Sequence, residues 1–179
     1  HLEPLDTKAV VDYIKTRESY KDLPIVVYGL SMGGAVAINS IGQTPEISGL
    51  VSISAYSSWE DVFMENMLAM GAPALLARIQ RPFVKLYTLY KFGIKTANIY
   101  PKKQIQNLMD RPALIMHSTG DSQVHFANFE RIMEEAPEHV ETWIRQGDHH
   151  MMSTDFLYPE NDPEYAQRVL DFFAQNFGS

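Results

Sequence analysis

The sequence has no cysteine among its 179 residues, which excludes a disulfide framework and any thiolate metal site and fits a reducing compartment. No apolar run approaches the roughly 18 residues of a membrane-spanning helix, and no stretch reads as a signal peptide. Positive charge is scarce: fifteen Lys and Arg stand against twenty-two Asp and Glu. The net charge of −7 leaves no basic footprint for nucleic acid and disfavours an electrostatic hold on acidic lipid surfaces. Internal repeats, low-complexity tracts and domain-splitting linkers are also missing. A hydrophobic content of 45% supports one globular domain with a real core. The cytoplasm is the default compartment.

The most informative stretch is Ile25-Val26-Val27-Tyr28-Gly29-Leu30-Ser31-Met32-Gly33-Gly34. An apolar strand runs into a Gly-x-Ser-x-Gly pentapeptide, and the helix-compatible Ala35-Val36-Ala37-Ile38 follows. That strand, tight turn and helix is the setting that exposes a nucleophilic serine at the top of a sheet. The approach of strand and helix leaves no room for Cβ atoms at positions 29 and 33, which accounts for glycine at both.

In chain order, Pro4 begins a first helix whose apolar stripe is Ala9, Val10, Tyr13 and Ile14. Strand 25–29 leads to a helix that Gly42 and Pro45 stop near position 41. A strand over 50–54 precedes a block, 59–109, that breaks the alternation. Its pattern predicts three short helices over 61–70, 73–80 and 82–91, rich in Met and aromatic side chains. Alternation resumes with a strand at 112–117, a helix at 124–135 and a strand at 140–144. The Asp162-Pro163 pair caps a last helix that buries Tyr165, Val169, Leu170, Phe172 and Phe173 and ends at Gly178. Such alternation argues an α/β fold, a parallel sheet with helices on both faces. The core comprises residues 1–58 and 110–179, with 59–109 as a helical insertion.

Three motifs in order resemble the α/β-hydrolase family: the elbow Gly29-Leu30-Ser31-Met32-Gly33, the segment from Pro112 to Asp121, and the turn Gly147-Asp148-His149-His150. In the second of these, Ser118 replaces the usual glycine. The order Ser, Asp, His is the one this family uses, and the resemblance implies that 59–109 is a lid. It also implies further strands and one oxyanion N–H upstream of His1, so the chain resembles the family's C-terminal half. Strand 25–28 is then an open apolar edge, expected to pair with another chain or another copy.

The chemistry expected is acyl transfer without metal or cofactor: serine hydrolysis of a small carboxylic ester with an apolar acyl or alcohol part. Ser31 would be the nucleophile, His150 the base and Asp121 the acid that orients it, with the Met32 N–H at the oxyanion. Spacing alone leaves His149 open as the base and Glu60 or Asp61 open as the acid. Asp148 reads as a turn residue and His117 as structural. Met64, Met67 and Phe63 are candidates for an apolar substrate pocket. The alternatives are a serine peptidase of the aminopeptidase or prolyl-oligopeptidase type, with the same triad, and a non-catalytic fragment or assembly module.

Overall fold

A computed structural model describes residues 2–178. Four parallel strands, β1 (Val26–Leu30), β2 (Gly49–Ile53), β3 (Ala113–Ser118) and β4 (Glu141–Arg145), pair in sequence order. The register carries Leu30 to Ile53, Ile53 to Met116 and Met116 to Trp143. All four strands therefore end along one edge, where the connecting loops collect.

Side chains alternate between the faces of a strand, and the core divides accordingly. Leu50 and Ile115 pack on one face with Ile38 and Ile41 of α2 (Met32–Gln43), Val11 of α1 (Glu3–Lys15), and Phe129 and Ile132 of α6 (Ala127–Met133). Val51, Ile53, Leu114, Met116 and Trp143 pack on the other, against Phe172, Val169 and Tyr165 of α7 (Pro163–Phe177). The strands β2 and β3 are buried throughout, whereas β1 and β4 are partly exposed edges among the described residues.

The insertion is built from α3 (Trp59–Ala69), α4 (Ala74–Ala97), α5 (Pro101–Gln104) and a 3-10 turn over Ile105–Leu108. The expected break at Arg81 does not occur. Helix α4 runs through Pro82, and its backbone departs from helical geometry only at Gly93, with φ 76° and ψ 165°. Proline fixes a helix-compatible φ, so one missing N–H bends a helix without ending it when packing holds both sides.

Other expectations are corrected by packing. Gly42 lies inside α2, where an added Cβ would stand 2.6 Å from Gln104 Oε1; its role is close helix approach, not a stop. On α1 the buried residues are Pro4 and Val11, while Val10 and Tyr13 are exposed. Leu170 on α7 is exposed as well. Helix α6 is shorter than 124–135 because the Val124 carbonyl accepts from His117 and the Val124 N–H is given to Asp121. Among the described residues no helix is long and apolar enough to cross a membrane.

Candidate active site

Ser31 sits between β1 and α2 with φ 55° and ψ −119°, a backbone state that costs a non-glycine residue about 1–3 kcal/mol. The surroundings enforce it. Its N–H donates to the Ile53 carbonyl at 2.8 Å, and its carbonyl accepts from Ala35. A Cβ on Gly29 would overlap the Gly33 carbonyl, and one on Gly34 would lie 2.7 Å from the Ile53 carbonyl. Nothing stands within 4 Å of a Cβ at Gly33. The glycines demanded by close approach are thus 29 and 34, not 29 and 33.

The Ser31 hydroxyl has no hydrogen-bond partner among the described residues and heads α2 without capping it. Met32 is the first residue of that helix, so its N–H is one of the donors the helix leaves unpaired, at the positive end of the macrodipole.

Asp121 follows β3 and is 3% exposed. Its Oδ1 accepts from the N–H groups of Gln123 and Val124, each at 2.9 Å. Both carboxylate oxygens face His150 Nδ1, at 3.0 and 2.8 Å. Burial alone would raise the Asp121 pKa, but the hydrogen bonds from His150, Val124 and Gln123 outweigh it and hold the carboxyl below its ordinary value. With Nδ1–H donated to Asp121, Nε2 of His150 keeps the lone pair that can take up a proton.

The loop after β4 is tied to the loop after β3. The Gly120 N–H donates to the Gly147 carbonyl, and the Thr119 N–H to the Arg145 carbonyl. Asp148 Oδ1 accepts from the Ser122 N–H at 3.1 Å, so it is a turn residue. The His149 N–H donates to Ser118 Oγ at 3.1 Å. That contact gives the serine at the usual glycine position a purpose, which sequence reasoning missed.

The structure brings Asp121 to His150, not to His149. Asp61 serves a different end. It is fully buried and accepts from Ser57 Oγ, Ser58 Oγ and Lys102 Nζ at 2.9, 2.7 and 2.9 Å, and from Arg81 at 2.5 Å. Burial opposes its ionisation, yet the hydrogen bonds from Ser58, Lys102 and Ser57 pull its pKa down to about 2. Among the described residues no histidine is hydrogen-bonded to it. Asp61 ties α4 and α5 to the turn after β2, and Glu60 beside it lines a small cavity with Arg81, Lys85 and Lys102. His117 is buried; its Nε2 donates to the Val124 carbonyl at 2.8 Å and lies 3.6 Å from Asp121 Oδ2.

A cavity of about 500 Å³ is walled by Trp59, Phe63, Phe83, Tyr87 and Phe92, with Val84, Thr88 and Glu3. Phe63 is the expected pocket residue it includes. Met64 and Met67 do not line it. Trp59 stacks on Phe63 at 5.5 Å, one helical turn apart, and that aromatic pair was the available sequence signal. Trp59 opens the helix after β2 and Glu3 opens α1, so the cavity lies toward the edge where the strands end.

Residues 5–111 match the family model described as serine aminopeptidase, S33. The match includes Ser31 and the insertion and stops short of Asp121 and His150. Among solved structures, an esterase of Pyrococcus furiosus is 25% identical with a TM-score of 0.67, over 99% of this chain and 62% of that one. An esterase domain from Rhodothermus marinus is 18% identical with a TM-score of 0.63, over 97% and 68%. A puromycin-hydrolyzing peptidase of Mycobacterium tuberculosis is 15% identical with a TM-score of 0.67, over 98% and 25%. The chain therefore spans under two thirds of the Pyrococcus esterase. The likenesses below 25% identity speak to fold.

Proposed function

The chain belongs to the serine aminopeptidase S33 family of α/β hydrolases, and from that membership we propose that the protein is a serine hydrolase acting on carboxylic esters with an apolar part. The observation that carries this reading is the Asp121–His150 pair in a chain whose strained Ser31 heads a helix at the same sheet edge. Strands β1 and β3 are two spacings apart, about 10 Å. An imidazole standing on Asp121 is the group that can bridge toward Ser31.

In this mechanism Ser31 Oγ attacks the ester carbonyl while His150 Nε2 takes the hydroxyl proton. Asp121 orients the ring and stabilises the imidazolium. The developing oxyanion meets the Met32 N–H; one such donor is worth roughly 2.7–4 kcal/mol. Collapse breaks the ester C–O bond, and His150 returns the proton to the departing alcohol. Water, deprotonated by the same nitrogen, then releases the acid from Ser31. The aromatic cavity accepts the apolar acyl or alcohol group, with 59–109 covering it.

One observation favours the amide-cleaving alternative: the family model that residues 5–111 match is described as serine aminopeptidase. A panel of p-nitrophenyl esters against aminoacyl p-nitroanilides, run on the full-length protein, separates the two. Higher kcat/KM on esters, lost in Ser31→Ala, supports the esterase. Preference for the anilides supports the peptidase, and turnover unchanged in Ser31→Ala rejects both.

A further inference from the structure

The net charge of −7 conceals an uneven distribution. Residues 71–109 contain seven of the fifteen Lys and Arg and no Asp or Glu. Arg81 and Lys102 are committed to Asp61, while Arg78, Lys85, Lys91 and Lys95 are exposed on α4. The same helix carries an apolar stripe on its outer side. Leu76, Ile79, Phe83, Leu86 and Tyr90 recur at three- and four-residue steps and are 49–89% exposed, whereas Ala77 and Thr88 face inward and are buried. Scattered exposed apolar residues need no explanation, but a contiguous stripe on one helix does.

We propose that α4 is a docking surface for an anionic lipid bilayer. An apolar stripe bordered by cations is the pattern of a helix lying in the plane of an interface, and α4 does not meet the requirements of a membrane span. A second copy of this chain is a poorer occupant, because a self-complementary contact through this face would set its cations against one another. The acidic remainder of the protein orients the basic insertion toward the lipid. Phe83 and Tyr87 both line the cavity and are more than 60% exposed, so the cavity mouth opens on this face. An apolar ester then passes from bilayer to cavity without crossing bulk water. The net charge of −7, which as an average disfavours acidic lipid, does not reflect this local asymmetry.

The test is cosedimentation of the full-length protein with vesicles of mixed phosphatidylcholine and phosphatidylglycerol, against pure phosphatidylcholine. Preferential binding to the anionic vesicles, weakened by salt, is expected. The double variant Ile79→Ser/Leu86→Ser should bind at least about tenfold more weakly, and Arg78→Gln or Lys91→Gln about fivefold each. These positions are exposed, so the variants should melt with the parent. Ser31→Ala should bind as the parent does, which separates this result from the catalytic reading. The proposal is overturned by absence of binding to either vesicle, by equal binding to both, or by a lipid-free dimer that Ile79→Ser/Leu86→Ser dissociates.

Discussion

Asp121 and His150 are 29 positions apart in the chain, yet His150 Nδ1 stands 2.8 Å from Asp121 Oδ2 in a buried pair. Adjacent His149 makes no hydrogen bond to Asp121; its backbone N–H donates to Ser118 Oγ. The relationship distinguishes two histidines that spacing could not.

Asp121→Asn should lower kcat on a p-nitrophenyl ester by about 10⁴-fold with little change in KM, because the ring loses its orienting acceptor. His149→Ala should stay within about threefold of the parent. Steady-state kinetics on both variants checks the assignment.

The elbow glycines should divide by their surroundings. Gly29→Ala and Gly34→Ala push a Cβ into backbone carbonyls and should destabilise by about 2 kcal/mol or more. Gly33→Ala meets nothing within 4 Å and gains helix propensity, so it should stabilise by about 0.5–1 kcal/mol. Urea denaturation of the three variants measures this.

Asp61→Asn should cost about 3 kcal/mol, the lower end for a broken buried ion pair, since Arg81 and Lys102 keep access to water. The damage should be local. Limited proteolysis should cut near Gly71 in the variant before the core unfolds.

Acid should weaken the fold in two stages. Burial holds the His117 pKa below its ordinary 6.5, so the unfolded chain takes up that proton first. Its contribution is complete above pH 6.5 and shrinks as pH falls toward the folded pKa. The depressed carboxylates act lower down: stability from Asp121 and Asp61 is present above their ordinary 3.8 and is lost as pH falls toward about 2 for Asp61. In urea unfolding across this range, His117→Gln should flatten the first stage and leave the second.

Much of the fold could be read from local chemistry. Strand–helix alternation, the Asp162-Pro163 cap and the Gly-x-Ser-x-Gly turn are short-range signals, and the elements they announce are present. The misses depend on partners distant in sequence. Gly42 reads as a stop until Gln104 packs on it. Val10 and Tyr13 look as apolar as Val11 until α2 is seen to cover only one side of α1. The candidate site follows the same division. Motif order nominated Ser31, Asp121 and His150, but only the tertiary contacts between the two loops choose between His149 and His150, or remove Asp61 from contention. Composition nominates Met64 and Met67 beside Phe63, yet of the three only Phe63 lines the aromatic cavity, because composition does not tell how far along α3 that cavity reaches.

The central claim is that Ser31 is an activated nucleophile served by His150. Its most direct test is to treat the full-length protein with a fluorophosphonate and locate the adduct by peptide mass spectrometry. The account predicts a single adduct on the peptide containing Ser31, absent in Ser31→Ala and formed at least about 10³-fold more slowly in His150→Ala. An adduct on a different serine, labelling that survives Ser31→Ala, or no labelling of the parent would contradict it.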